Sequence, residues 1–298
     1  SSQSQIVHPG YVGRFGTGQQ NPQLKVSSLH IYPVKSLGGI SLERMPLSKR
    51  GPLFDREWMI VNAAGHFLSQ REIARMCLIS CRLTGLREEG KIETAAQLVL
   101  HIPACAPVEI PMARSTATEE IEVVVWRDKC LAQVEPEATE ALSQYLQEPV
   151  RLVRMSRTFT RQVDENYATA ADTVGFADGF PMLVISDASL SDLNGKLEYP
   201  VEMSRFRPNL TVSGATPFAE DTWKKLQLDS VRMELVKPCS RCQITTIDQD
   251  SADTGKEPLR TLSGYRKIDG KVMFGQNALV RYEGDFASIR LGETITVA

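Results

Sequence analysis

The chain has 298 residues, enough for two domains or one large one, and 42% of them are hydrophobic, which suffices for a real core. A formal net charge of −2 excludes a global field that would recruit nucleic acid or an anionic membrane. No stretch approaches ~18 continuous apolar residues, so nothing reads as a membrane span, and six cysteines in a chain this long read as reduced thiols of a cytosolic protein, not as a disulfide scaffold.

Residues 1–23 are polar and glycine-rich without a period, and read as a flexible tail or an expression remnant. No charged-then-apolar signal segment opens the chain. A strand is expected over residues 26–32, stopping at Pro33-Val34-Lys35-Ser36, and a second over 40–47. Residues 56–61 and 66–70 flank Asn62-Ala63-Ala64-Gly65 and read as a hairpin. A helical turn is expected over 72–76, and strands over 78–83, 98–102, 120–126 and 130–134.

The first clear helix is 136–147, with Pro136 in its first turn, Glu137 complementing the dipole, and Ala138, Leu142, Tyr145 and Leu146 on one face. A strand returns at 150–155. Residues 156–175 are polar with little period, and are a candidate domain junction or active-site loop. A buried strand at 182–185 leads into a helix capped by Ser186 or Asp187, with Leu190, Leu193 and Leu197 on one face. Strands follow at 210–213, 231–236, 243–247, 274–282 and 293–297, with helical turns around Leu259, Leu262 and Tyr265. Many short strands with few helices predict an α+β, β-rich chain with barrel or sandwich closure. There is no internal repeat and no glycine-rich phosphate loop of Rossmann or Walker type.

The chemistry concentrates at Lys237-Pro238-Cys239-Ser240-Arg241-Cys242. Pro238 has no N–H for a ladder, so the incoming strand is expected to end there, leaving both thiols on a loop between strands. Cys-x-x-Cys alone fits half a zinc site, a redox dithiol or chance. The other cysteines and the four histidines offer no second pair with finger spacing. The run Gln243-Ile244-Thr245-Thr246-Ile247 alternates and is β-branched, so no helix of thioredoxin type is expected after the pair. Lys35-Ser36, Arg56, Arg207 with Asn209, and Ser240-Arg241 sit where strands end in turns. Taken singly, each favours a plain reading: Lys35-Ser36 a solvated turn, Arg56 a surface ion pair with Asp55, and Arg207-Pro208-Asn209 turn chemistry. Together they suit a polyanion: arginine forks phosphate, lysine adds a point charge, and serine and asparagine satisfy polar edges. A soft thiolate beside them points to a metal cofactor with an anionic organic part.

The sequence resembles the MOSC-domain molybdenum enzymes, in particular the mitochondrial amidoxime-reducing components and their bacterial relatives. The resemblance rests on Tyr32-Pro33-Val34-Lys35-Ser36, Phe54-Asp55-Arg56, Phe176-Ala177-Asp178-Gly179-Phe180-Pro181, Phe206-Arg207-Pro208-Asn209, the cysteine segment with Thr245-Thr246, Glu257-Pro258-Leu259-Arg260-Thr261-Leu262 and Phe274-Gly275-Gln276-Asn277, in family order. It implies a tail over 1–24, a β-rich MOSC-N-like domain over 25–158 and a MOSC β-barrel domain with a few helices over 159–298, with molybdopterin between the two domains. It implies that Cys242 ligates molybdenum and is the catalytic position. It further implies that Lys35, Ser36, Arg56, Arg207, Asn209, Ser240 and Arg241 hold the pterin and its phosphate. It implies, too, that Asp178, Gly179 and Phe180 line the cofactor, mainly through backbone.

The implied reaction is two-electron reduction of N-hydroxylated compounds (amidoximes, hydroxylamines, N-hydroxylated bases) to amines or amidines. The alternative is a module that binds, carries or sulfurates the cofactor, or a zinc half-site completed by a second chain. No flavin, haem or iron–sulfur motif is present, so electrons are expected from a separate donor: cytochrome b5 with its reductase, a ferredoxin, or a flavoprotein reductase. The family's mitochondrial members carry a targeting and membrane segment that is not found here. The expected location is therefore cytoplasmic, of bacterial type, or mitochondrial if a targeting segment was removed.

Overall fold

The computed structural model describes residues 22–87 and 90–298, so most of the expected tail lies outside the described residues. The largest sheet has nine strands. Along its main path Ile40–Ser41 pairs with Lys25–Ile31, followed by Leu210–Ser213, Met182–Ser186, Lys271–Tyr282, Val231–Ser240, Lys225–Gln227 and Thr296–Val297. The path returns on itself. Val26 N–H donates to Glu293 O at 2.9 Å, Gly292 N–H to Val26 O at 2.8 Å, and Ile295 N–H to Leu24 O at 2.9 Å. Closure removes the exposed edge and encloses a core that includes Leu29, Met45, Val184, Val212, Met233, Leu235 and Ala278. The first described strand thus completes a barrel built mostly from the C-terminal half: Lys25–Ile31 lies antiparallel to Leu210–Ser213.

In the rest of the N-terminal half, Arg44–Ser48 and Gly51–Pro52 join Ser288–Arg290 in a three-stranded sheet, and two further small sheets follow. One has the order Trp58–Asn62, Val150–Met155, Asp128–Glu135, Glu120–Val125; the other has Ser80–Leu86, Ile92–His101, Val108–Pro111. Trp58, Ile60, Leu98, Leu100, Ile110, Leu142 and Leu152 bury a shared core between these sheets and the helix Thr139–Leu146. That helix is preceded by a 3-10 turn, Pro136–Ala138, and stops at Gln147 in a left-handed conformation (φ 56°). Ser186 is the N-cap of Asp187–Asn194, its Oγ accepting from Ser189 N–H.

Several expectations need correction. The strand Val231–Ser240 runs through Pro238 instead of stopping there. Its register with Lys271–Tyr282 shifts between Leu235 and Lys237 and again between Pro238 and Ser240. A bulge leaves Pro238 no ladder N–H to supply. Residues 243–247 are not a strand: Gln243–Thr246 is a 3-10 turn. Thr245 Oγ1 donates to Cys242 O at 2.9 Å and Thr246 Oγ1 to Gln243 O at 2.6 Å, so these threonines bond their own turn, not a sheet. The span 40–47 breaks into Ile40–Ser41 and Arg44–Ser48. Residues 66–70 follow the turn at 62–65 but form no strand of their own, and the strand Val108–Pro111 carried too short a pattern to be read. No helix among the described residues is long and apolar enough to cross a membrane.

Trp58 is fully buried, stacks under Arg154 at 4.7 Å and donates from Nε1 to Glu135 at 3.2 Å. Trp58→Ala is expected to cost about 3–5 kcal/mol in urea unfolding. Tyr199→Ala, at a side chain 76% exposed, is expected to change stability by less than about 0.5 kcal/mol.

Candidate functional site

All eleven residues singled out from the sequence line one cavity of about 130 Å³. Four turns and one strand end bring them there. The turn after Lys25–Ile31 carries Lys35 and Ser36 and is tied down by Lys35 N–H to Trp58 O at 2.9 Å and by Gln70 Nε2 to Ser36 O at 2.8 Å. Arg56 is held at both backbone ends: its N–H donates to Tyr32 O, and its carbonyl accepts from Phe176 N–H, each at 2.7 Å. Gly175 packs so closely there that a Cβ would lie 2.7 Å from Arg56 O. The segment 176–180 is further fixed by Arg161, whose guanidinium donates to the carbonyls of Gly175, Ala177 and Asp178 and pairs with Asp128 at 2.7 Å. Arg161 comes from the polar stretch 156–175, so that stretch supports the cavity wall through a buried side chain. Arg207 and Asn209 immediately precede Leu210–Ser213, and Ser240 closes the bulged strand before Arg241 and Cys242.

Ser36 (φ 71°), Arg56 (φ 45°) and Arg207 (φ 57°) all adopt left-handed backbone, which L-residues other than Asn and Asp seldom occupy. Each costs of order 1–3 kcal/mol and persists only where its surroundings over-determine it. Here the turn hydrogen bonds and a stacked tyrosine do so. Tyr32 lies 4.4 Å from the Arg56 guanidinium and 4.3 Å from that of Arg207, and donates from its hydroxyl to Pro208 O at 3.0 Å. Burial pushes the Tyr32 phenol up to about 12, so it stays protonated.

The two arginines are not equivalent. Burial opposes the charge on Arg56, but Asp55, whose two oxygens accept from its Nη1 at 3.0 and 2.9 Å, more than restores it and raises its pKa. Arg207 makes no hydrogen bond among the described residues, and its Nη2 is buried without a partner. Burial, then the charge of Arg56, lowers Arg207 to about 10, which leaves it cationic at neutral pH. Arg241 donates to Phe206 O at 2.6 Å and to Cys239 Sγ at 2.9 Å, and its Nε is also buried unpartnered. Lys35 is lowered by burial, against the pull of Asp178, and donates to Asp178 Oδ1 at 2.6 Å and Phe176 O at 2.9 Å. The Lys35 ammonium and the indole N–H of Trp126 hold the Asp178 carboxyl well below the ordinary range.

Five cations and one carboxylate therefore line the cavity: Lys35, Arg56, Arg71, Arg207 and Arg241 against Asp178. With two guanidinium nitrogens buried and unpartnered, this donor set fits an anionic group such as a phosphate. Asn209 contributes differently from expectation. Its amide is already engaged with His30 O, Asp55 Oδ1 and Leu183 N–H, so its role is to hold the turn. Cys242 lines the cavity half-buried, and its thiol has no hydrogen-bond partner among the described residues. Cys239 also lines the cavity, and its Sγ accepts from Arg241. Among the described residues no three His, Cys, Asp or Glu side chains converge as metal ligands. A metal at Cys242 would need further ligands from an organic group or another molecule.

Sequence reading missed Tyr32, Asp55, Arg71, Trp126 and Arg161 as site residues. Asp55 and Tyr32 lie inside motifs that were recognised. Arg71, Trp126 and Arg161 carry no local signal, because only the fold brings them to the cavity mouth. Removing the buried counter-charge is expected to be costly: Asp55→Ala should destabilise the chain by about 3–5 kcal/mol in thermal unfolding.

The MOSC N-terminal beta barrel domain pattern matches residues 13–149 and the MOSC domain pattern residues 171–296. Mitochondrial amidoxime-reducing component 1 of Mus musculus is 33% identical over 288 residues, covering 91% of this chain and 81% of that protein. The protein of that name from Xenopus laevis is 31% identical over 290 residues, again with 91% and 81% covered. A molybdenum cofactor sulfurase from Oryza sativa subsp. japonica is 31% identical over 293 residues, covering 92% of this chain but only 34% of the sulfurase, so the chain spans about a third of that relative's length. On these matches, the chain belongs to the MOSC-domain family, with amidoxime-reducing components and molybdenum cofactor sulfurases among its relatives.

Proposed function

We propose that this chain is a molybdenum-cofactor-dependent reductase of N-hydroxylated compounds, and that the cavity around Cys242 holds the cofactor. The observation that carries the reading is the Arg207 guanidinium, stacked on Tyr32 with its Nη2 buried and without a hydrogen bond among the described residues, in a cavity of cationic excess that Cys242 also lines. Buried charges are ordinarily paired, so an arginine kept this way is a poised anion site.

In this reading Arg207, Arg56 and Arg241 take the anionic part of the pterin, with Ser36 and Ser240 satisfying polar edges. Lys35 contributes charge while Asp178 keeps it oriented. Gly179 and Phe180 lie along the cofactor, and a Cβ at Gly179 would meet no atom within 4 Å. Cys242 supplies the protein thiolate, soft enough for molybdenum. When bound, the cofactor supplies the two electrons that, with two protons, break the N–O bond and release its oxygen as water. The protein's part is to fix the cofactor in strained but pre-set turns, to keep its anionic end out of water, and to leave the Cys242 side open to a wider cleft of about 520 Å³ that shares Asp178, Gly179 and Phe180 with the cavity. Electrons come from a separate donor protein. The sulfuration or carrier alternative rests on the match to the sulfurases, and turnover distinguishes it.

The decisive experiment is amidoxime reduction with reduced viologen, alongside molybdenum content and melting temperature. Wild type should turn over and carry molybdenum; metal without turnover would favour the carrier reading. Cys242→Ser should abolish turnover with little change in melting temperature, since one atom changes at a half-buried position. Cys239→Ser should keep most activity, because a hydroxyl still accepts from Arg241. Equal loss of activity and stability in the two variants would instead favour a zinc site.

Arg207→Ala tests the anion anchor. It removes charge-assisted hydrogen bonds worth roughly 1.5–3 kcal/mol each, so pterin content of the purified protein should fall about tenfold or more. Cofactor-free protein should lose much less stability than cofactor, since Arg207 makes no hydrogen bond there among the described residues and gives up only its stacking on Tyr32. Unchanged pterin content would remove Arg207 from the site.

A further inference from the structure

The cleft outside the cavity holds a feature that cofactor binding does not use. Trp126 sits at the tip of the turn between Glu120–Val125 and Asp128–Glu135, in left-handed backbone (φ 55°) that a bulky residue rarely adopts. It is 47% exposed, yet its indole is fixed from three sides. Phe67 lies 5.2 Å away at a tilt, the Arg71 guanidinium stacks at 4.7 Å, and Nε1 donates to Asp178 Oδ1 at 3.1 Å. A large aromatic held rigid but left half-uncovered is a stacking platform that has already lost its rotamer freedom. Asp178 shows a matching asymmetry. Oδ1 takes both Trp126 and Lys35, while Oδ2 has no hydrogen-bond partner among the described residues, and the side chain is 68% exposed. Both residues line the outer cleft together with Cys242.

We infer that Trp126 and Asp178 select substrate at the mouth of the cavity, favouring flat aromatic N-hydroxyamidines whose ring lies on the indole and whose amino N–H donates to the free Asp178 oxygen. This rests on the reductase reading and adds a division of labour to it. The N-terminal half supplies the platform and the C-terminal half the acceptor, joined by the indole hydrogen bond. Because Lys35 already neutralises much of the Asp178 charge, the pair suits a neutral donor better than a strongly cationic one. Trp126 and Asp178 act on substrate affinity, so their effects should appear in KM before kcat.

Three matched probes separate the contacts: benzamidoxime, acetamidoxime without the ring, and N,N-dimethylbenzamidoxime without the amino N–H. Purified full-length chain, with cofactor content measured for every variant, is assayed with reduced viologen. Because Asp178 also orients Lys35, Asp178→Asn is read as a ratio between probes: KM should rise about tenfold more for benzamidoxime than for the dimethyl compound, the loss expected for one hydrogen bond to a charged group. Trp126→Ala should raise KM for benzamidoxime but not for acetamidoxime, and Trp126→Phe should restore most of it. Parallel changes for all three probes, tracking cofactor content, would overturn the inference. If wild type reduces none of them, the reductase reading fails. Calorimetric titration of the same proteins with benzamidoxime then decides this one: weaker binding in Asp178→Asn and Trp126→Ala sustains it, and equal or undetectable binding throughout sinks it.

Discussion

Asp55 is a buried carboxylate that accepts from Tyr32 N–H at 2.9 Å, from Arg56 Nη1, and from Asn209 Nδ2 at 3.1 Å. A charge taken out of water must be paired and hydrogen-bonded, and here the partners come from three segments distant in sequence. One ionised group therefore joins the end of the first barrel strand, the Arg56 turn and the segment entering Leu210–Ser213. It also sets the electrostatics of the cavity. Asp55 compensates Arg56 but leaves Arg207, on the same tyrosine ring, without a paired carboxylate among the described residues.

The positive charge of the cavity is thus arranged in grades. Arg56 is neutralised locally, Lys35 is shared with Asp178, and Arg207 faces the cavity with no hydrogen bond of its own among the described residues. Such a set can accept an anion without first breaking a strong ion pair at Arg207, so little of the binding energy is lost to rearrangement. The left-handed backbone at Ser36, Arg56 and Arg207 belongs to the same arrangement, since each turn aims its residue at a point the regular strands cannot reach. Barrel closure through Val26 and residues 292–295 gives these turns a rigid base.

The N-terminal half has a second role beyond completing the barrel. Its hairpin tip places Trp126 against Asp178, and its loops supply Ser69 and Arg71 to the cavity wall. The cleft is consequently bounded by both halves of the chain, with Trp126 from one and both thiols from the other.

How much of this was legible in the sequence depended on whether the signal was local. Period-two patterning and turn residues were enough for the β-rich class, for the strands at 150–155, 182–186 and 210–213, and for the helices at 139–146 and 187–194, because burial on one face leaves a periodic trace. Short motifs of Lys, Arg, Ser and Cys at strand ends marked the residues that line the cavity, since chemistry needs particular side chains whatever the fold. Pro238 misled because a bulge in the partner register, invisible locally, relieves its missing N–H. Residues 243–246 misled because threonine hydroxyls can satisfy a turn as readily as β-branching can favour a strand. The sequence by itself determined which groups are available: one thiol pair, a set of cations, and turns able to hold them. Only the tertiary structure decided that Asp55 is shared by three segments, that Arg207 lacks a hydrogen bond among the described residues, and that Trp126 meets Asp178. Those facts depend on contacts between residues as much as 154 positions apart, and no local propensity encodes them.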